Sequence, residues 1–420
     1  MRIILVLLLS TSFALAQKDT GYLLQPDRVF DGEKLLTGVS VFVHNDKIVA
    51  IGPTSGMKPT GDVVVVKLPG CTLMPGLIEG HSHLLLHPYN ETPWVDQVMK
   101  ESDAYRVARA TIHAKNTLMA GFTTVRDLGS EGAGYADVGL KKAIEDGIIP
   151  GPRMLVAGRA IVATGSYGPK GFDTDFNVML GAEAADGNDL IRVVRDQIGK
   201  GADVVKVYAD YRWGIHDEAM PSFSVDELRL IVETAASSGR QVVAHAATVE
   251  GMRRAIMAGV STIEHGDAGT LEIFELMKQK KVALCPTISA GYAIAQYKGW
   301  QPGTLPEPPG VKQKKVSYQA AIQAEVTICA GGDVGVFAHG DNVRELEMMT
   351  EYGMMADQVL RSATSINADV FGIANLTGRI KENLKADILV VLGDPTKNLS
   401  DLRKVKVVMK DGVVYRNEKL

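Results

Sequence analysis

Cysteine is scarce in this chain, with three in 420 residues, Cys71, Cys285 and Cys329. That is too few and too scattered for a disulfide framework or a cysteine-based zinc site. Each lies in an apolar stretch that suits a buried free thiol. Basic charge is not in excess either. Lys and Arg number 45 against 49 Asp and Glu, a net charge of −4, which offers no cationic footprint for nucleic acid. Internal repeats and low-complexity tails are missing. Apolar runs long enough to span a bilayer, about 20 residues, are missing as well. What remains is a globular composition, 46% hydrophobic and 22% charged, with 43 glycines, many at turn positions. The length suits one large α/β barrel or two ordinary domains.

The N-terminus carries a processing signal. Arg2 supplies the positive end, Ile3 to Leu9 the apolar stretch, and Ala14-Leu15-Ala16 a small-x-small cleavage pattern before Gln17. We expect residues 1–16 to be a signal peptide cut after Ala16. The mature protein is then periplasmic or secreted and free of the membrane. No cysteine follows the cut, so no lipid attachment is expected there.

Both ends of the chain are rich in strands and the middle is not. Val39–Val43, Lys47–Ile51 and Val63–Val66 near the start match Ala386–Leu392, Val405–Met409 and Val413–Tyr415 near the end. We expect a small β-sandwich domain built from residues 17–74 and 377–420. Between them, residues 75–376 alternate apolar strand signals with amphipathic helices. The strands begin with Leu77-Ile78 and continue at Phe122–Val125, Met154–Ala157, Val204–Tyr208, Val242–Ala246, Thr262–Glu264, Val282–Pro286 and Thr327–Ala330. Ser102–Met119, Val225–Ser237, Thr248–Ala258 and Leu271–Lys280 read as helices, with Ser224 and Thr248 as N-caps. Eight strand–helix units predict an α/β fold, a (β/α)₈ TIM barrel with its chemistry at the C-terminal strand ends. Two stretches interrupt the spacing, Ala163 to Gly187 and Gly291 to Gly310. Both read as loops that shape a pocket.

Potential metal ligands fall at those strand ends. His81 and His83 are two apart, so their side chains face one way. His245 closes Val242-Val-Ala-His and His265 closes Thr262-Ile-Glu-His, one helix apart. Either pair alone reads equally well as ordinary histidines; together they point to metal. Lys206 sits inside Val204-Val-Lys-Val-Tyr208, where a charge is costly. Burial lowers a lysine's pKa and frees a nucleophilic amine. That amine can take up CO₂ as a carbamate and bridge two metals. By itself Lys206 reads equally as a lysine snorkelling at a strand end. Asp333 follows the last strand, where a carboxylate can hold a metal and shuttle a proton. His44 and His113 read as solvated. His87, His216 and His339 read as residues of the active-site side, with His339 near enough to reach substrate.

In combination these residues resemble the amidohydrolase superfamily, in its binuclear form with a carboxylated lysine. The resemblance spans the mature chain, from Leu73-Met-Pro-Gly-Leu-Ile-Glu-Gly-His-Ser-His83 to Leu384-Lys-Ala-Asp-Ile-Leu-Val390. Gly121-Phe-Thr-Thr-Val-Arg-Asp127, Ile263-Glu-His-Gly266 and His339-Gly-Asp-Asn-Val-Arg-Glu-Leu346 are similar to the prolidase- and imidazolonepropionase-like branch. Exported members there resemble dipeptidases, carboxypeptidases and ochratoxin-hydrolysing amidohydrolases. The resemblance implies His81 and His83 on a first metal and His245 and His265 on a second, with Lys206 bridging. Asp333 is implied as ligand and proton shuttle, Tyr208 as a contact to substrate carboxylate or oxyanion. It also implies a ring-like homo-oligomer. The chain departs from its relatives at Thr164-Gly-Ser-Tyr-Gly168, where Tyr167 stands in place of a substrate-binding histidine. Arg212 can supply the missing cation by forked binding of a carboxylate, and equally reads as a loop arginine. Trp213, Tyr167 and Tyr292 are available to line an apolar pocket.

The expected reaction is hydrolysis of the amide to a C-terminal amino acid, in a dipeptide or N-acyl amino acid, ochratoxin A included. The expected cofactors are two divalent ions, Zn²⁺ foremost, and a CO₂-derived carbamate on Lys206. A lactonase or cyclic-amide hydrolase on the same scaffold stays open. A non-catalytic binding protein is the weaker alternative, because none of the six ligand positions is missing.

Overall fold

The structure, a computed structural model, describes residues 20–418. The expected signal peptide lies outside the described residues.

Strands from both ends of the chain join one eight-stranded sheet. Its centre is the long strand Asp62–Pro75, which pairs with Thr20–Phe30 on one side and Ile388–Leu392 on the other. The first pairing is parallel and shifts register between Pro26 and Arg28; proline has no N–H to give a ladder, so the shift falls where the chain cannot bond. Leu24, Val41, Val43, Ile48, Leu73, Ile388 and Val390 form one buried cluster against this sheet. The two termini thus contribute to one core.

The intervening chain follows a repeated strand–helix plan. Leu77–Ser82, Phe122–Asp127 and Arg153–Val156 pair in parallel. Val204–Tyr208, Gln241–Ala246, Thr262–His265 and Ala283–Cys285 pair in parallel as a second group, to which the short strand Ile161–Val162 adds. Between the groups the Asp203 N–H donates to Val156 O at 2.8 Å. On the other side, single parallel bridges join Leu284 to Ile328 and Ser82 to Val334. The eighth strand expected at Thr327–Ala330 is therefore only one bridged residue long. Glu325 just before it and Asp333 just after it both have positive φ, 54° and 60°, conformations that an extended strand cannot include.

The helix starts are written in local chemistry. Ser102, Thr248 and Thr270 each accept a main-chain N–H three residues on, and Ser224 forms a full capping box with Glu227. The expected loop at 291–310 is partly helical instead. Ile288–Tyr297 forms a helix, since its apolar run is long enough to pack and Gly291 costs only a modest propensity penalty.

Close approach, not turn geometry, explains two glycines beside the site. A Cβ on Gly331 would lie 2.6 Å from His81 N and 2.5 Å from Cys285 Sγ. A Cβ on Gly80 would lie 2.6 Å from Ala330 O. These contacts let the first strand and the chain before Asp333 touch, and they set the spacing of the residues that follow.

Candidate metal centre

His81, His83, Lys206, His245, His265 and Asp333 all come together at one end of the parallel strands, and five of them border a single cavity of about 870 Å³. Lys206 lies beneath, fully buried. Ring centroids run in a chain: His81 to His83 at 5.3 Å, His81 to His265 at 5.1 Å, His265 to His245 at 4.4 Å. Asp333 Oδ1 lies 3.2 Å from His83 Nε2 and 3.6 Å from His81 Nε2, so three donor atoms face one point.

The nitrogen that faces away is fixed in three of the four histidines. His81 Nδ1–H donates to Glu264 at 2.9 Å, and His83 Nδ1–H donates to the Gly129 carbonyl at 2.8 Å. His265 Nδ1 pairs with Thr287 Oγ1 at 2.7 Å. Each arrangement leaves Nε2 for a metal, and the outer partner sets tautomer and ring angle. His245 differs: Nε2 lies 3.6 Å from Asp210 Oδ1, and buried Nδ1 has no hydrogen-bond partner among the described residues.

Electrostatics suit cation binding. Burial, reinforced by the Lys206 charge, holds His81 well below the usual histidine range. Burial does the same to His245 and His265, with neighbouring rings adding to it. Neutral imidazole is the form that ligates. Burial also opposes a charge on His83, but Asp333 outweighs it and raises that ring to about 9. Asp333 itself is pushed up by burial, and the two histidines more than reverse that, leaving it below the usual carboxylate range. Asp333 is thus an anion at any pH where the protein works.

Lys206 is the test of fit. It is 0% exposed, and its Nζ has no hydrogen-bond partner among the described residues. Burial lowers its pKa. An unpaired amine in a dry strand is expensive, and the six side chains present, with this orphan among them, fit a metal centre.

Several residues around the centre had no signal in the sequence. Glu264 is completely buried and joins His81 to Arg126 Nη2, 2.8 Å away, with Thr262 as a further donor. Glu79 accepts from His81 N, Gly332 N and Asn342 Nδ2, tying the first strand to the chain before Asp333. Asp210 caps the helix after His245 through Ala247 N, Thr248 N and Thr248 Oγ1. Glu131 borders the cavity and accepts from Trp94 Nε1 at 2.9 Å and Tyr167 Oη at 2.7 Å. Glu79 and Glu264 lie in stretches that carry the family resemblance, yet nothing there singles out either carboxylate.

Of the expected substrate contacts, Tyr167, Tyr208 and Arg212 line the cavity. Burial raises both tyrosine hydroxyls well above their usual pKa, so they remain donors. Tyr208 stacks on His245 with ring centroids 4.5 Å apart. His339 does not belong to this group. It borders a separate cavity with Asn116 and Arg403, stacks on His113 at 4.4 Å, and its Nε2–H donates to Leu86 O. The same stack makes His113 buried rather than solvated, on the helix face turned inward. His87 is buried against Glu101, and His216 is exposed; neither lines the cavity. Trp213 lies outside it as well, with its indole N–H on Met220 O, whereas Tyr292 lines an adjoining apolar chamber with Trp300.

Residues 72–415 match the amidohydrolase family. The chain belongs to it. An ochratoxinase from Aspergillus niger is 31% identical over 412 residues, covering 90% of this chain and 82% of the relative. A crystal structure of a Xaa-Pro dipeptidase with methionine bound in its active site superposes with a TM-score of 0.84 at 30% identity, covering 94% of this chain and 100% of the other. The A. niger ochratoxinase crystal structure gives a TM-score of 0.80 at 27% identity, over 95% and 96% of the two chains. This amidohydrolase is of the prolidase-like branch, with a TIM-barrel-type fold and a second domain. It is a hydrolase of amide or peptide bonds in small molecules, in a family whose members use a metal centre.

Proposed function

We propose that the amidohydrolase cleaves the amide bond to a C-terminal amino acid, in a dipeptide or an N-acyl amino acid, with two divalent ions, zinc foremost, in its centre. The observation that carries this is Lys206, a buried amine without a hydrogen-bond partner among the described residues, beneath three rings that burial holds neutral, His81, His245 and His265. In its neutral form Lys206 would add to CO₂ to give a carbamate, with loss of a proton. His81, His83 and Asp333 would hold one ion and His245 and His265 the other, with the carbamylated Lys206 as a further ligand. Such ions supply Lewis acidity and an activated water at neutral pH.

The chain's own groups do the rest. Asp333, an anion beside His81 and His83, takes the proton of the attacking water and delivers it to the departing amine. Tyr208, a neutral donor next to His245, supports the developing oxyanion. Arg212 and Lys298 line the cavity, and their charge suits the substrate's terminal carboxylate. The adjoining chamber with Tyr292 and Trp300 takes an apolar side chain. We further assign residues 75–376 to a closed (β/α)₈ barrel and residues 17–74 and 377–420 to a composite β-sandwich domain. Residues 1–16 we assign to an export signal, which N-terminal sequencing of the exported protein checks.

Zinc-loaded protein incubated with dipeptides and N-acyl amino acids that differ at the last residue, ochratoxin A among them, tests the function. Release of the C-terminal amino acid is expected, with an aromatic or large apolar preference. Hydrolysis of lactones alone would overturn the reading.

A further inference from the structure

Glu131 is a carboxylate that borders the cavity beside Tyr167, apart from the cations Arg212 and Lys298. The residue is 3% exposed. Its three donors are neutral and aromatic: Trp94 Nε1 at 2.9 Å, Tyr167 Oη at 2.7 Å, and Tyr208 Oη at a long 3.5 Å. No lysine or arginine pairs with it among the described residues. Arg106, behind the loop, spends its hydrogens on the carbonyls of Leu85, Ser130 and Glu131. A carboxylate has about four acceptor positions, so capacity remains on the cavity side.

The backbone is held for this purpose at a cost. Glu131 has φ 48°, the left-handed region that a side chain other than glycine avoids. Arg106 pins the carbonyls on both sides of that bend. The carboxylate is also near the candidate centre: a Cβ on Gly129 would lie 3.4 Å from Glu131 Oε1 and 3.6 Å from His83 Cε1, so the two side chains are at most about 7 Å apart, and both border the same cavity. That spacing leaves room for one small substrate group between Glu131 and the histidines. In a dipeptide, the group in that relation is the α-ammonium, one carbon from the scissile carbonyl. Both faces of this site argue against an anion here, since Tyr167 is already committed to Glu131 and a second carboxylate would be repelled.

We infer that Glu131, with Trp94 and Tyr167 holding it, is a binding site for a primary ammonium next to the scissile amide, so that the preferred substrates are dipeptides with a free N-terminus and not N-acyl amino acids. This rests on the amide-hydrolase reading above and narrows it. It separates this chain from an enzyme that prefers ochratoxin, whose amide nitrogen is acylated by a group without an amine.

The test compares leucyl-phenylalanine with isocaproyl-phenylalanine, which has the same shape without the amine, on the zinc-loaded enzyme. The parent should favour the dipeptide in kcat/KM by roughly tenfold or more, as expected for a charge-assisted hydrogen bond. In Glu131→Gln the ratio should fall toward unity. A second measurement needs no variant: the parent's preference should shrink as pH rises past about 8, where the α-amine loses its charge. Equal rates for the two compounds in the parent, or an unchanged ratio in the variant, overturn the ammonium site and leave the hydrolase standing. If neither compound is cleaved by the parent or bound by Asp333→Asn in calorimetry, the amide-hydrolase reading falls and this inference with it.

Discussion

Replacing Lys206 by methionine separates a metal-bridging lysine from an ordinary buried one, because the two roles predict opposite signs. Methionine matches the apolar stem in length and removes the orphan amine. In metal-free protein kept free of CO₂, the parent must either bury an ammonium or neutralise it. Neutralising caps the cost at pH 7: about 3.4 units below the reference lysine, at 1.36 kcal/mol per unit, is about 5 kcal/mol. An unsatisfied neutral amine sets a floor of about 1 kcal/mol. Lys206→Met should therefore stabilise the metal-free protein by about 1–5 kcal/mol. In the zinc-loaded protein the sign reverses, because the variant loses the bridge and one of about two ions per chain.

The pH dependence follows from the lowered pKa of Lys206. The folded state binds fewer protons at this site than the unfolded state, so the parent's stability rises with pH. The advantage of the variant should be greatest at low pH and shrink to that floor of about 1 kcal/mol as pH climbs toward the unfolded value of about 10.4. Urea midpoints of parent and variant, with and without zinc and bicarbonate, read all of this. A variant less stable than the parent under metal-free conditions, with two ions retained when loaded, would refute the reasoning.

Asp333→Asn should lose about 10²–10⁴ in kcat, with KM changed far less; a KM effect alone would make Asp333 a substrate contact. Glu264→Gln leaves Arg126 buried without its carboxylate and loosens His81, so zinc affinity should drop about 10–100-fold, read by competition with a chelator. Gly331→Ala drives a methyl onto His81 N, and should yield insoluble or metal-poor protein; a soluble, active variant would show that this approach is not required. For Asp137, burial raises the carboxyl to about 6, above the unfolded value of about 3.9. Its folded state holds the proton longer, so the parent loses stability as pH rises from about 4 to about 6. Asp137→Asn escapes that loss and should gain on the parent over this window; parallel melting profiles would count against it.

The clustering of His81, His83, Lys206, His245, His265 and Asp333 was legible because they lie in or at the ends of apolar runs, and strand ends are among the easiest positions to find in an α/β sequence. The pairing of strands from both ends in one sheet was legible for a similar reason: alternation and turn pairs survive at both ends. Thr20–Phe30 was harder to see, since Pro26 and Asp27 interrupt it and its parallel partner lies forty residues on, beyond any local pattern. His339 was misplaced by a different fault. It is close to Asp333 in sequence, but the turn through Gly335 carries the chain around the first strand, and the ring packs on His113 instead. Nearness along a loop does not fix the face to which a side chain turns.

Glu131 shows what such reading misses in principle. It lies in Gly129-Ser-Glu-Gly132, a stretch that suits any polar turn, and nothing adjacent to it is periodic. Its meaning comes from Trp94, Arg106, Tyr167 and Tyr208, which reach it from two helices, a loop and a strand. Two ligands share its backbone signature: His265 at φ 76° and Asp333 at φ 60° are also left-handed without being glycine. Such conformations cost about 1–3 kcal/mol each and persist only where the surroundings enforce them. With Thr287 at φ 49°, the hydroxyl partner of His265, four of them meet at one cavity, so the fold spends stability there on the direction of side chains. His265 and Asp333 use that direction to face the same space. Glu131, held by the same means, presents charge to the same space, and on that ground it belongs with the substrate's nearest cation rather than with the packing of the loop.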